Sequence, residues 1–173
     1  GSDLAHNLRQ VFVEVDGSLA PEFTRFVNSV QVTLRKRHQS GEETVRELVA
    51  TRANATGLTA LGPLAYAARG DTNAAEWLRY QYRTRWSFYG GGVYETAWQE
   101  TDQAVILLAA PFHRSLVRLE GDPDQLRSRD VRAVDVSITS NLFGNSRSVR
   151  RSATLAANGP LSLPEVELVL PEG

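Results

Sequence analysis

The side chains in this 173-residue chain that could do chemistry are few and scattered. Its histidines, His6, His38 and His113, stand far apart and none belongs to an H-x-x-x-H pair, the arrangement that preorganises a metal site on one element. No metal site is expected. His113, beside Arg114 near the end of a predicted strand, is the histidine singled out for inspection and reads first as a partly exposed surface residue. Gly90-Gly91-Gly92 is followed by Val-Tyr-Glu-Thr-Ala-Trp, a strand pattern, whereas a phosphate cradle leads from a strand into a helix N-terminus. Neither a G-x-S-x-G elbow nor a P-loop nor a dinucleotide fingerprint occurs, so no catalytic residue and no cofactor is predicted. Glu42 and Glu43 read as capping residues, and Asp122 and Asp124 as turn formers. Asn54-Ala55-Thr56 fits a glycosylation acceptor, a three-residue pattern that chance supplies often.

One constellation carries more weight. Over residues 77–88, Leu78, Tyr80, Tyr82, Thr84, Trp86 and Phe88 alternate with Arg79, Gln81, Arg83, Arg85 and Ser87. A strand places these two sets on opposite faces, rings on one side and guanidinium groups on the other. After the three glycines the pattern restarts as Val93-Tyr94-Glu95-Thr96-Ala97-Trp98, which predicts a hairpin. A three-residue loop sets Phe88 against Tyr94, Trp86 against Thr96 and Thr84 against Trp98, so the apolar faces coincide; a two-residue loop mixes them. An odd loop is therefore expected. Arg79, Arg83, Arg85 and Glu95 form the candidate partner-binding set, with Glu95 opposite Ser87 and diagonal to Arg85. A second arrangement would have Tyr80, Tyr82, Trp86 and Trp98 line a cavity for a small apolar ligand in a cone-shaped α+β domain.

The elements that must hold this hairpin read as follows. Over residues 3–15, Leu4, Leu8, Val11, Phe12 and Val15 fall at helical spacing and Asp16-Gly17 supplies a stop, although Val11, Val13 and Val15 also alternate. Ser18 caps a second helix with Pro21 in its first turn and Phe23, Phe26, Val27, Val30 and Leu34 on one stripe. Arg35-Lys36-Arg37-His38 then sits at that helix's C-terminal end, where its charge meets free carbonyls. Ser40-Gly41-Glu42-Glu43 has the form of a capping box and predicts a third helix with Val45, Leu48 and Val49 inward, ended by Gly57. Leu58, Leu61 and Leu64 suggest a short apolar turn. The run 104–109 reads as a strand covered on both faces and the most buried segment. Residues 133–138 and 149–155 read as paired strands around a loop at 141–146, Asn158-Gly159-Pro160 as a turn, and Val166, Leu168 and Leu170 as an edge strand. Helices first and strands after predict an α+β fold, with N-terminal helices packed on one face of an antiparallel β-sheet, in a single soluble domain over residues 1–173.

Composition narrows the setting. A net charge of −1 gives no global attraction to nucleic acid or anionic lipid, and 18 of the 19 basic residues are arginine, which fits a GC-rich genome. Without cysteine there is no disulfide framework. Opening Gly1-Ser2 without methionine, the chain reads as an excised piece of a membrane-anchored protein.

Residues 130–139, a short loop, and residues 147–158 together resemble the terminal strand pair of larger minor pilins and J-type pseudopilins of type IV pilus and type II secretion systems. The resemblance covers about 30 residues of alternation with an arginine-rich return strand. It implies that residues 3–15 are the lower end of a long helix whose upper half enters the inner membrane. Together with the chain's opening and the lack of catalytic constellations it points to a non-catalytic subunit, periplasmic or at the cell surface, whose partners are other protein subunits of an envelope assembly; a scaffold domain of another secretion machine, a homo-oligomer through a homodimeric strand edge, is a further alternative.

Overall fold

The computed structural model describes residues 4–57, 59–155 and 165–172, and it overturns the α+β reading: of the described residues 54% are strand and 14% helical, in four short α-helices and one 3-10 turn, Leu4–His6. Leu58 and the Asn158-Gly159-Pro160 turn lie outside the described residues. The chain divides into two compact units, Gly1–Ala110 and Pro111–Gly173, and each is described by itself.

The first unit begins with β1 (Leu8–Val15), α1 (Glu22–Arg25), β2 (Val27–Arg37), β3 (Glu43–Thr51) and α2 (Arg52–Ala55). It continues through β4 (Leu61–Ala67), α3 (Ala74–Leu78), β5 (Tyr80–Phe88), β6 (Val93–Glu95), β7 (Gln99–Thr101) and β8 (Val105–Leu108). Two sheets result. One has the order β4-β1-β8; the other is five-stranded, β3-β2-β5-β6 with β7 also on β5. Their inner faces meet where Tyr66 of β4 presents its ring edge-on to Trp77 and Tyr80. Val11, Val13, Val30, Val32, Leu34, Trp86 and Phe88 fill the interior.

Of the predicted N-terminal helices only the four-residue α1 and α2 are α-helical; most of their length is the strands β1, β2 and β3. A spacing of four is two strand periods and close to one helical turn, so Leu4, Leu8 and Phe12 suit a helix face and a strand face alike. The deciding positions are the odd ones: Val11 and Val13 are buried, while Leu8 points outward. β2 follows the same logic, its β-branched alternation prevailing over the helical stripe once β3 and β5 pair on either side. The S-x-x-E sequence makes a turn, with Gly41 at φ +93° and the His38 amide donating to the Glu42 carbonyl. The helix that follows β3 is capped elsewhere, the Thr51 amide donating to Asn54 Oδ1 at 2.8 Å.

The hairpin loop is odd, as expected, but spans Tyr89-Gly90-Gly91: Phe88 closes on Gly92, and Trp86 faces Tyr94 rather than Thr96. The apolar faces still coincide. β8 differs more from expectation. It is an edge strand running parallel to β1, with Ile106 and Leu108 buried and Val105 and Leu107 exposed, so only one of its faces is covered. In the β1–β4 pair a bulge falls at Gly62, whose φ of +112° and approach of an added Cβ to within 3.1 Å of the Val11 carbonyl demand glycine.

The second unit holds β9 (Phe112–Val117), α4 (Pro123–Ser128), β10 (Ala133–Leu142), β11 (Asn145–Thr154) and β12 (Val166–Pro171). β12 pairs antiparallel with β9, tied by Arg114–Glu167 at 2.8 Å and Arg118–Glu165 at 3.2 Å. β10 and β11 pair over ten residues each, and the predicted loop at 141–146 shrinks to a two-residue turn, Phe143-Gly144, both at positive φ. That is the hairpin turn whose twist suits its strands. Asp122 caps α4 through Oδ1, which accepts from the Asp124 and Gln125 amides.

Candidate functional site

Two places in the first unit gather chemistry-bearing side chains, on opposite sides of the five-stranded sheet. On the inner side, at the end of β2, His38 Nδ1 lies 2.8 Å from Asp71 Oδ2, and His38 Nε2 lies 2.8 Å from Thr44 Oγ1. Carboxylate, imidazole and hydroxyl thus stand in the order of a nucleophile relay. Exposure decides against that use, because the His38 and Asp71 side chains are 0% and 2% exposed and Thr44 is buried. No substrate atom can reach the hydroxyl in this conformation. What the cluster does is mechanical: Asp71 Oδ1 also accepts the Gln39 amide at 2.7 Å, and Gln39 Oε1 accepts the Thr72 amide at 2.7 Å. The β2–β3 turn is thereby fastened to the loop that leads into α3. The sequence places His38 in a basic cluster at a helix end, and no spacing rule links it to a partner 33 residues away. His113, the histidine singled out from the sequence, is half-exposed and 3.4 Å from Glu172.

Next to this cluster lies Lys36, buried on the inner face of β2 and holding the Glu76 and Arg79 carbonyls at 2.6 and 2.7 Å. The lysine serves the C-terminal end of α3, so the favourable helix-end charge foreseen for this basic cluster exists, on a different helix and through one residue. Burial lowers its pKa against the attraction of Asp71, Glu76 and Glu100. Tyr66 donates to the Trp77 carbonyl at 2.6 Å and Tyr80 to the Gln103 carbonyl. Burial raises both phenols, Tyr80 to about 12. A cleft of about 170 Å³ opens beside Lys36, between Arg35, Arg37, Arg79, Glu76, Gln81 and Glu100, with Tyr80 on its wall. Its lining is charged.

On the outer side, Trp98 lies under two guanidinium groups, Arg35 at 4.0 Å and Arg83 at 4.5 Å from the ring centre. Arg35 also donates twice to Gln81 Oε1, and Arg83 Nη1 sits 3.6 Å from Glu95. Glu95 is opposite Arg85 in register, not Ser87. Arg85 is exposed and has no ion pair among the described residues. Arg79 is at the far end of β5 beside Glu100, at 4.0 Å. The four candidate partner-binding residues therefore split: Arg83, Arg85 and Glu95 share one face, and Arg79 belongs to the cleft.

Trp98 reaches that face through a one-residue irregularity. Thr96 hydrogen-bonds opposite Thr84, in register with Tyr94 and Trp86, but Gln99 rather than Trp98 pairs with Tyr82. An extra residue between two ladders reverses which side a side chain faces. The proposed cavity of Tyr80, Tyr82, Trp86 and Trp98 is thus not formed: Trp86 and Tyr80 are buried inside, Tyr82 donates to Gln99 Oε1 at 2.8 Å, and Trp98 is on the outer face.

A third surface, unforeseen from the sequence, is the outer face of the β4-β1-β8 sheet. Leu8, Val105 and Leu107 are 57%, 42% and 58% exposed; Phe12 sits opposite Val105, Ala67 opposite Leu8, and Glu14 opposite Leu107. Reading 104–109 as doubly covered concealed this face. No group of three or more potential ligands suited to a metal occurs among the described residues. No family model, curated protein or solved structure matches the chain.

Proposed function

We propose that this chain is a non-catalytic assembly subunit that packs against other protein subunits, in the setting of a bacterial envelope filament or secretion machine. The observation that carries the reading is the outer face of the β4-β1-β8 sheet, where Val105 and Leu107 stand in water beside Phe12, with exposed Leu8 beyond Gln10 on the same face. Contiguous exposed apolar surface on a sheet favours a protein partner, and the scarcity of charge there, Glu14 apart, suits an apolar one. The sealed Asp71–His38–Thr44 cluster supports the non-catalytic part of the reading, since its polar groups already satisfy one another. The pilin-like form of this proposal now rests on the β10–β11 ribbon alone, because residues 8–15 are a strand rather than the end of a membrane helix.

The test is photo-cross-linking in the native host, with the reactive group placed at Leu107 and, as a control, at the exposed Asp124. A discrete adduct with an envelope protein from position 107 alone is expected. Adducts from neither position, or a full-length protein found only in the cytosol, would overturn the proposal.

A further inference from the structure

Among the described residues no third strand forms a ladder with either edge of the β10–β11 ribbon, and the two edges are not equivalent. Its turn closes on the pair Leu142/Asn145, and the Leu155 amide donates to the Arg132 carbonyl at 2.8 Å at the other end. Inward hydrogen-bonded pairs therefore fall on even positions of β10, from 132 to 142. The backbone groups of Ala133, Asp135, Ser137, Thr139 and Asn141 point away from β11, as those of Ser146, Ser148, Arg150, Ser152 and Thr154 point away from β10. Among the described residues, β10 forms a ladder with β11 only.

An isolated two-stranded ribbon is marginal in water and gains from a third strand. Charge selects which edge can receive it. Folding β11 against a second β11 in the register of greatest overlap places Arg150 opposite itself, and the Arg150 carbonyl is already occupied by Arg151 Nη1 at 2.9 Å. Arginine along an edge is a device that blocks strand addition. The same operation on β10 places Ser137 on the two-fold axis, since Ser137 is the cross-strand partner of Arg150. In that register Asp135 meets Thr139 of the second copy, Ala133 meets Asn141, and Val136 meets Ile138. All five outward positions pair, no like charges oppose, and the stripe of Val134, Val136 and Ile138 runs on into its mate.

We infer that β10 is a self-association edge: two copies of this chain join β10 to β10 antiparallel, forming a continuous four-stranded sheet with the arginine-bearing β11 strands outermost. The interface is built from β10 and does not use Leu8 or Leu107, so the two proposals fail independently. The experiment is sedimentation of the full chain over a wide concentration range, with amide hydrogen exchange read at Ser137 and Thr139. A dimer of twice the 19.1 kDa chain mass is expected, with both amides protected only at dimer-forming concentrations. Ser137→Glu is the discriminating variant. Within the hairpin its carboxylate faces Arg150 and favours the fold, whereas across the axis it faces another carboxylate, which should weaken the dimer on the order of tenfold or more. Ser146→Glu, on the β11 edge, should leave the dimer intact. A chain that stays monomeric throughout overturns the inference, as does a dimer that survives Ser137→Glu; a dimer dissolved by Leu107→Glu instead would move self-association to the other sheet.

Discussion

The two sides of the five-stranded sheet use similar residue types to opposite ends. Inside, Lys36, His38 and Asp71 have traded water for fixed partners: two carbonyls, a hydroxyl, an amide and each other. Outside, Arg83, Arg85 and Glu95 keep their access to water, and Arg83 and Glu95 stand 3.6 Å apart. A charge without water depends on its particular neighbours, while a hydrated one barely notices their loss. The inner set therefore fixes geometry and the outer set tunes the surface. Position 36 makes the point most sharply, because Arg35 and Arg37 on either side of it face outward.

Removing one inner partner should cut deepest. Asp71→Ala leaves one ring nitrogen of His38 without its acceptor where the side chain is sealed from water, and takes the acceptor from the part-buried Gln39 amide, at a cost of about 3 kcal/mol. Urea unfolding at neutral pH measures it, and a loss below about 1 kcal/mol would show that the two sides of the sheet differ less than their burial implies.

The next effect is pH-dependent. Tyr80 has a raised pKa in the fold, so its neutral form is favoured there; its contribution is complete below the ordinary phenol value near 10 and is lost as pH climbs to about 12. Tyr66 and Tyr82 shift in the same direction through burial. Lys36 opposes them, because its lowered pKa means that its burial cost is relieved, not incurred, as the solution becomes alkaline. Three phenols outweigh one amine, so the protein should weaken between pH 10 and 12, with Tyr80 alone worth about 2 kcal/mol. Tyr80→Phe should flatten that limb of the stability curve. An unchanged slope would mean that the inner face admits water more readily than its burial suggests.

Parity was the part of this architecture open to reading from residue order. The alternation of Tyr80 through Phe88 and the terminal edge strand appear where a period of two placed them, whereas the odd loop starts one residue earlier than the glycines and the paired ribbon closes through a shorter turn. What escaped had competing local signals. Leu4, Leu8 and Phe12 satisfy both periods, and Ser40 through Glu43 can cap a helix or close a turn, so only the pairing of β1 with β4 and of β2 with β3 decides. That pairing is a long-range fact, invisible to local spacing. Trp98 was misplaced for a different reason: one inserted residue between β6 and β7 reverses every inference drawn by counting. The inner polar cluster draws His38 and Thr44 from one hairpin and Asp71 from a loop beyond β4, so its members meet only after the sheets close.

The smallest expected effect tests the outer face directly. Arg83 and Glu95 are 38% and 42% exposed, their separation of 3.6 Å is loose, and Arg83 also lies over Trp98. Solvent screening should reduce their coupling to about 0.3 kcal/mol in a double-mutant cycle of Arg83→Ala and Glu95→Ala. Arg83→Ala should then cost more than Glu95→Ala, because it also removes a guanidinium from the indole, an interaction worth about 0.5–1 kcal/mol at an exposed site. Equal costs would assign the stability of this face to the ion pair and not to the stacked tryptophan. A coupling above about 1 kcal/mol would mean that the outer face is as geometrically fixed as the inner one, and the distinction between tuning and fixing would no longer follow from burial.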